Sequence, residues 1–530
     1  MTVNSRLPGI PKGPSRSPTP TAANSARPPG PQWRNPHNEP HQRQTNLTHG
    51  TGRKLTEGTA TATERTTRAI ATRCTPKISG ALEDKPETDL ENRIAGRPVA
   101  RSIVLQTTTL GEPVTESQCP HVSEVDFFDP AINDCPYPAY QTLRDDAPVW
   151  RDPRTGMFVI SRYEDVKMVL LDTERFPSGR KARRLGPQAE AVQELYRTKG
   201  WVPAPTLAGR DDPNHKQMRT LFNHAYRPNR IRQLEPIIDS FANELIDAFI
   251  ARGQCDFVKE FAVPLPLQVI AVQVGANIDD IWRIKAWTDA WVQRLGMMQT
   301  PEEVIWSTEM EIEAQHYFQA IFERLRKEPN DTLLSDLVNT VIPEWGRPLT
   351  DEELHAEMMA DTFVGGSETT TNALSGGVRL LIEHPEQWAL LKSDPEKYLP
   401  VLVEEAVRLE SPVQALFRTA GVDMTLHGVD IPAGSMISIR YAAANRDERI
   451  FEEADRFDLD RSDSRQHLGF GHGIHHCLGA PLARRELLHG FRAVVERIDE
   501  MWFLDGNDFS IAPNYSLRAL NHLHIGVRPI

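Results

Sequence analysis

The stretch Phe470-Gly471-His472-Gly473-Ile474-His475-His476-Cys477-Leu478-Gly479 decides how the rest of the chain is interpreted. It places a single cysteine in a loop built on three glycines, and a helix-like run follows at residues 480–488. Glycine permits backbone angles that other residues avoid and lets a flat ligand approach closely. The free N–H groups of a helix N-terminus can bond to a thiolate and lower the pKa of the thiol. The stretch therefore predicts a thiolate held beneath a large planar cofactor, rather than an ordinary buried cysteine.

Composition limits the class of protein. The chain has 530 residues, of which 39% are apolar and 25% are charged, as in ordinary globular proteins. A net charge of −13 argues against nucleic-acid binding. The five cysteines are scattered and lack CxxC pairs, which indicates neither a disulfide framework nor a zinc site and favours a reducing, cytoplasmic compartment. No apolar run of eighteen residues occurs, so we expect no membrane anchor.

The chain divides into two regions of different composition. Residues 1–118 begin with ten prolines in the first forty positions and show no apolar periodicity. Residues 1–80 hold twelve Lys and Arg against three Asp and Glu, which is also typical of an organellar transit peptide, although the prolines disfavour its amphipathic helix. We therefore expect 1–118 to be a disordered N-terminal extension. Residues 119–530 have the pattern of one large globular domain.

The globular region predicts a mainly α fold with a smaller β region. Short strands are expected at 148–150 and 158–161, with a helix from Tyr163 to Leu171. Helical periodicity then covers 231–251, 278–295, 302–327, 352–383 and 398–409, and β-like runs occur at 424–431 and 436–441. A basic run at 180–184 is interpreted as solvated surface, with an anionic substrate group as the alternative.

Three further patterns accompany the cysteine loop. Glu405 and Arg408 lie three residues apart on a predicted helix and would ordinarily be an exposed ion pair. Gly365 and Gly366 followed by Ser and Thr residues interrupt a long helix, which costs ~1 kcal/mol per glycine relative to alanine. His215 and Arg219 share one face of a helix that begins after Pro213, and such a pair suits a carboxylate-bearing ligand.

Together these motifs, in this order, resemble those of the cytochrome P-450 family over residues 119–530, and of its bacterial members without an anchor. The resemblance implies the family's fold, a triangular helical prism with haem b between a long central helix and the cysteine loop. It also implies that Cys477 is the axial thiolate ligand of the iron. Arg408 precedes Cys477 by 69 residues, close to the family's separation, which implies that Glu405 and Arg408 form a buried structural pair.

The remaining site residues are also carried over from the resemblance. Thr369 and Glu368 are implied to be catalytic and to deliver protons to the oxygen. Arg456 is implied to be a further structural partner of the Glu405 and Arg408 pair. The residues implied to bind haem or to border it are His215, Arg219, Arg418, His475, Phe470, Gly471, Gly473, Gly479, Gly365 and Gly366.

The function that the resemblance implies is haem-dependent monooxygenation of a hydrophobic small molecule by O2, through hydroxylation or epoxidation. Because the sequence contains no flavin or iron–sulfur module, we expect electrons from a separate ferredoxin and its reductase. A monomer is expected. The alternatives are a peroxygenase that uses H2O2 and a non-catalytic haem-binding or sensor protein. The acid and threonine at 368 and 369 argue against both of them.

Overall fold

A computed structural model describes residues 119–179 and 187–530. The predicted N-terminal extension at 1–118 and the basic run at 180–184 lie outside the described residues. Among the helices that are described, none combines the length and the apolar character that a membrane crossing requires.

The described chain is mostly helical. Its α-helices are α1 (Pro130–Asp134), α2 (Tyr137–Asp146), α3 (Tyr163–Leu171), α4 (Pro187–Lys199), α5 (Asn214–Ala225), α6 (Pro228–Ile250), α7 (Pro264–Val274), α8 (Ile281–Leu295), α9 (Pro301–Lys327), α10 (Leu333–Asn339), α11 (Asp351–Ala356), α12 (Thr369–Glu383), α13 (Pro385–Ser393), α14 (Pro395–Glu410), α15 (Tyr441–Ala444) and α16 (Ala480–Arg497). Two π-helical segments span Val258–Ala262 and Glu357–Glu368. Short 3-10 turns occur at Val122–Glu124, Leu207–Gly209, Ile278–Asp280, Ser464–Gln466 and Gly473–His475.

The strands form three small sheets. They are β1 (Val149–Arg151), β2 (Phe158–Ile160), β3 (Gln254–Asp256), β4 (Ala415–Thr419), β5 (Met424–Leu426), β6 (Val429–Ile431), β7 (Met436–Arg440), β8 (Ile498–Phe503) and β9 (His524–Pro529). The first sheet has the order β1-β2-β7-β4, the second has the order β3-β9-β8, and β5 pairs with β6. The predicted hairpin at 148–161 is confirmed, because β1 and β2 pair antiparallel with Val149 opposite Ile160.

The predicted mainly α fold with a smaller β region is confirmed. The helix expected from Tyr163 to Leu171 has those ends, and the periodicity at 352–383 corresponds to α11, the second π-helical segment and α12 in continuous succession. Helix α12 packs against both α14 and α16. Leu374, Leu402 and Phe491, one from each of these helices, are at most 1% exposed, so the centre of the apolar core lies among them.

The pair predicted on α14 is buried rather than exposed. Arg408 donates to both carboxylate oxygens of Glu405, at 2.6 and 2.9 Å, and neither side chain is exposed to solvent. The same guanidinium donates to the backbone carbonyls of Asn445, Ala454 and Arg456. Since a buried charge needs both a counter-ion and hydrogen bonds, this arrangement attaches the irregular segment 445–456 to α14.

Arg456 contributes to this network through its backbone only. Its carbonyl accepts from Arg408 at 3.1 Å, whereas its half-exposed guanidinium pairs with Glu453. The second guanidinium that reaches Glu405 belongs to Arg461, at 3.3 Å. Sequence analysis named Arg456 from the family resemblance, and a motif match does not show which arginine of the segment turns its side chain inward.

We expect Arg408→Ala to destabilise the fold by roughly 3–5 kcal/mol, because it leaves the carboxylate of Glu405 buried without its main partner. Denaturant unfolding would measure the loss. Arg456→Ala is the matched control, and it should stay within about 0.5 kcal/mol of the natural chain. Equal losses in the two variants would contradict the buried-pair assignment.

Candidate active site

The loop that carries Cys477 is a tight structure closed by its own backbone. The Cys477 N–H donates to the carbonyl of Phe470 at 2.8 Å, and a 3-10 turn at Gly473–His475 lies between them. Gly479 is the N-cap of α16, and a Cβ added there would lie 3.9 Å from the Cys477 Sγ. The predicted helix after the loop is therefore confirmed, and the thiol lies at its N-terminus.

Gly473 is required at its position for two reasons. Its φ of +73° lies in the left-handed region, and an added Cβ would come within 2.8 Å of the Leu170 carbonyl. Gly471 also has a positive φ, at +69°. The sequence prediction that glycines shape this loop is thus supported by backbone geometry, and the close neighbour of Gly473 is the end of α3.

Two opposing effects act on the acidity of Cys477. Burial raises the pKa of the thiol, while the backbone N–H groups of Gly479 and Ala480 and the charges of Arg219 and Arg484 lower it. Burial is the largest of these effects, and the net pKa is raised. Sequence analysis expected the helix N-terminus to lower this pKa. The N–H donors are present, but the effect of burial on the pKa is larger than the opposing effect of these donors and of the two arginines.

A second buried carboxylate attaches the cysteine loop to α14. Glu404 accepts from Arg484 of α16 at 2.8 Å and contacts the His467 ring nitrogen at 3.0 Å. Burial raises the pKa of Glu404, but the bonds to His467 and Arg484 prevail and lower it to about 2. Arg484 also lies over the Phe470 ring, 4.4 Å from its centroid. The start of the loop and the helix after it are therefore fixed to one helix.

Four predicted basic residues from three separate elements converge beside this loop, namely His215 and Arg219 of α5, Arg418 of β4 and His475 of the 3-10 turn. The rings of His215 and His475 lie 4.2 Å apart, and the His475 Nε2 lies 3.0 Å from the Ser178 hydroxyl. Burial, followed by the charges of Arg418, His215 and Arg219, lowers the pKa of His475 to about 3. His475 is consequently neutral at physiological pH.

Within the described residues, the same group includes hydrogen-bond donors without an acceptor and positive charge without a carboxylate partner. His215 Nε2 and Arg418 Nε are buried and have no hydrogen-bond partner within the described residues. Arg418 donates only to the Phe417 carbonyl, at 2.9 Å, and Arg219 donates to the His476 carbonyl at 2.8 Å. Because an unsatisfied buried donor costs about 1–3 kcal/mol, this cluster is suited to an anionic ligand. It therefore fits the two carboxylates of a haem.

The central helix changes its winding where the two glycines occur. The π-helical segment Glu357–Glu368 ends at the start of α12, and such widened turns are frequent at functional sites. The two glycines have different surroundings. A Cβ on Gly366 would lie 2.6 Å from Ile270 of α7, so Gly366 permits a close helix crossing, whereas Gly365 is exposed and would meet only the Ala360 carbonyl, at 3.5 Å.

The predicted acid and threonine are adjacent but have separate partners. The Thr369 hydroxyl donates to the Gly365 carbonyl at 2.9 Å. The Glu368 carboxylate points to α8, where it meets the Lys285 ammonium at 3.2 Å and the Thr288 hydroxyl at 3.0 Å. Burial raises the pKa of Glu368 even though Lys285 opposes the rise. Lys285 also contacts Asp289, which is half exposed, so the acid is linked to the surface.

Several residues of this site carried no usable signal in the sequence. Lys285, Thr288 and Glu404 lie on predicted helices but belong to none of the motifs that the sequence analysis recognised. Glu486 of α16 is 1% exposed, and burial raises its pKa well above its usual range although the Thr370 hydroxyl opposes the rise. Spacing does not reveal such contacts, because the partners are far apart in the chain.

Comparison with known proteins identifies the family. The family described as Cytochrome P-450 matches residues 395–499. A steroid C26-monooxygenase of Mycobacterium tuberculosis is 33% identical, over 68% of this chain and 86% of the relative. A vitamin D(3) 25-hydroxylase of Pseudonocardia autotrophica is 35% identical, over 68% of this chain and 86% of the relative. The solved cytochrome P-450 CYP109Q5 from Chondromyces apiculatus superposes with a TM-score of 0.66 at 31% identity, covering 77% of this chain and 98% of that one.

The chain belongs to the cytochrome P-450 family. It is a haem-thiolate monooxygenase, an oxidoreductase whose substrates are O2 and a hydrophobic molecule. The resemblance stated from the motifs, the fold class and the cofactor are thereby confirmed.

We expect Arg418→Met to weaken haem retention without destabilising the polypeptide, because the guanidinium has no carboxylate partner among the described residues. The rate of haem transfer to a scavenger apoprotein should rise by about tenfold or more, since a charge-assisted bond contributes roughly 1.5–3 kcal/mol. The control is Arg446→Met, which removes a buried guanidinium that is paired with Asp455 and donates to the Leu409 carbonyl at 2.9 Å. It should lower the stability and leave haem transfer unchanged, and the reverse pattern would contradict the assignment.

Proposed function

We propose that Cys477 is the axial ligand of the haem and that this chain hydroxylates hydrophobic molecules of the sterol class with electrons from a separate ferredoxin. The observation that carries the assignment of the site is the convergence of His215, Arg219, Arg418 and His475 beside the Cys477 loop. Two of these residues have buried nitrogen atoms without a partner among the described residues. An anionic edge of the cofactor would satisfy those atoms.

The Cys477 thiolate is proposed to bind the haem iron. When bound, haem iron supplies positive charge at the thiolate and the chemistry that activates O2. The protein's contribution at Cys477 is to hold the sulfur against the N–H groups of Gly479 and Ala480, which stabilise its negative charge. Burial of the thiol disfavours that charge in the protein alone, and the positive iron would compensate for this cost once it is bound.

Proton supply is assigned to the central helix. Monooxygenation consumes two protons and two electrons for each O2, so a route from solvent is needed. Asp289, Lys285 and Glu368 form a continuous chain of charged groups from a half-exposed carboxylate to a buried one. Thr369 is the next residue, and its hydroxyl proton is held by the Gly365 carbonyl. With its own proton held there, the hydroxyl oxygen is free to accept a hydrogen bond from a protonated group beside it.

The substrate class is inferred from relatives with similar coverage. Two of them are named for a steroid and for vitamin D(3), both large, rigid and hydrophobic molecules with few polar groups.

The separate electron carrier is carried over from the family resemblance. Burial lowers the pKa of His476, and the charges of Arg484 and Arg219 lower it further. Arg484 is paired with Glu404, and Arg219 belongs to the proposed haem cluster, so neither guanidinium is free to bind the carrier. The predicted cytoplasmic location and monomeric state stay predictions.

The function is tested by supplying electrons in different ways. We expect the purified protein to convert vitamin D(3) or a steroid when NADPH, ferredoxin reductase and ferredoxin are present together, and not with H2O2 alone.

The reduced, CO-bound protein should show the red-shifted band for which the family is named. Cys477→Ala should lose the band and the product. Retention of the band in Cys477→Ala would remove the central assignment, and product from H2O2 alone would favour the peroxygenase alternative.

We expect Thr369→Val to separate reductant consumption from product formation. Without the hydroxyl, protons are no longer positioned at the reacting oxygen, and the affected step should slow by about 10²–10⁴-fold before water substitutes for part of the loss. Measured H2O2 release per NADPH oxidised should rise while haem content stays normal. The control is Thr371→Val on the same helix, whose hydroxyl donates to the Ala262 carbonyl at 3.0 Å. It should lower the melting temperature and leave the coupling unchanged, so a purely structural role for Thr369 would make the two variants alike.

A further inference from the structure

Two imidazoles and one carboxylate meet on the second sheet, on elements that carry none of the residues discussed above. Asp256 of β3 is directly opposite His524 of β9 in the antiparallel register. The pairing continues past the strand end, because Phe257 donates to the Leu523 carbonyl at 2.8 Å. Because His522 and His524 are two residues apart in an extended chain, their side chains lie on the same side of the sheet. One ligand atom from each of Asp256, His522 and His524 lies within 4.8 Å of the others.

The carboxylate of this cluster is held in a fixed position. One oxygen of Asp256 lies 2.8 Å from the His522 Nδ1, and the other accepts the Leu523 N–H at 3.1 Å. The rings of His522 and His524 are nearly parallel, with centroids 5.5 Å apart and an interplanar angle of 8°. Two imidazoles thus stand side by side over one anchored carboxylate, a donor set that needs only small side-chain movements to surround an ion.

Burial and charge at the cluster suit a cation that enters from solvent. The Asp256 side chain is 12% exposed and that of His522 is 59% exposed, so the anchored ligand is inside and the movable ligand is outside. Glu260, which accepts the Asp256 N–H at 3.1 Å, is neutralised by its contact with Arg252. Cys255 is buried on the opposite face of β3 by strand alternation, and it does not belong to the cluster.

We propose that Asp256, His522 and His524 bind a divalent transition-metal ion of the zinc class, with water completing the coordination. Imidazole and carboxylate ligands suit zinc, which accepts three protein ligands and one water, whereas magnesium and calcium prefer oxygen atoms alone. The cluster is distinct from the proposed haem site and does not depend on it.

Such an ion would cross-link positions that are far apart in the chain. Asp256 and His522 are separated by 266 residues, and β9 is the central strand of the sheet β3-β9-β8. An ion that binds the folded chain alone stabilises it by mass action. The inferred role is therefore to fasten the C-terminal strand to the segment that follows α6.

The test uses the haem-loaded full chain. A chelator first removes loosely bound divalent ions and leaves the haem in place, and the protein is then titrated with ZnCl2. We expect one ion per chain at this site in a competition titration, together with a higher melting temperature and slower amide exchange in β3 and β9. MgCl2 at the same concentration should have no effect. His522→Ala and His524→Ala should each lose that ion or bind it about tenfold or more weakly, the scale on which metal-site residues act.

Two further variants keep the test decisive. His427→Ala is the matched control, since His427 contacts Asp165 at the same distance of 2.8 Å and the described residues bring no third ligand to that pair. It should bind zinc as the natural chain does. Asp256→Asn, nearly isosteric with the natural side chain, should lose the ion while keeping its circular dichroism spectrum. Zinc binding that is absent from the natural chain, or that is unchanged in His522→Ala, His524→Ala and Asp256→Asn, would overturn the proposal.

Discussion

The structure depends on two adjacent buried carboxylates of α14 that bind positive groups from distant parts of the chain. Glu405 is bound by Arg408 and Arg461, and Glu404 by His467 and Arg484. Charges removed from water are tolerated only when they are paired and fully hydrogen-bonded, so each partner has one permitted position. The irregular chain between α15 and α16 has few elements of its own, and these bonds define its path. The same bonds fix the position of the cysteine loop.

The neighbouring cluster of basic residues follows the opposite rule. His215 and Arg418 are buried with nitrogen atoms left unbonded among the described residues, and Arg418 has no carboxylate partner there. Such a cluster lowers the stability of the polypeptide, because each unsatisfied donor and unpaired charge carries a desolvation cost. An anionic ligand bound at this cluster would offset that cost. The paired carboxylates of α14 stabilise the fold. The basic cluster at His215 and Arg418 is instead suited to a ligand.

The central helix combines the two kinds of constraint within a few residues. Gly366 is needed for packing, since Ile270 leaves no space for a Cβ, whereas Gly365 leaves the backbone accessible. The hydroxyl of Thr369 satisfies the Gly365 carbonyl, which limits the cost of the changed winding. The same short segment therefore secures a helix crossing and presents a polar group at the site.

The sequence by itself determined the elements whose signals are local. Helix α3, the β1–β2 hairpin and the cysteine loop with its glycines were predicted within a residue or two, because periodicity and positive-φ positions are written in neighbouring residues. His215 and Arg219 were paired from their helical spacing as well as from the resemblance, whereas Arg418 and His475 were named from the resemblance alone. Only the tertiary structure decided which side chains turn inward, as with Arg461 in place of Arg456. It also decided that Glu368 meets Lys285 and that burial outweighs the helix N-terminus at Cys477, because long-range burial and charge act between residues that no spacing connects.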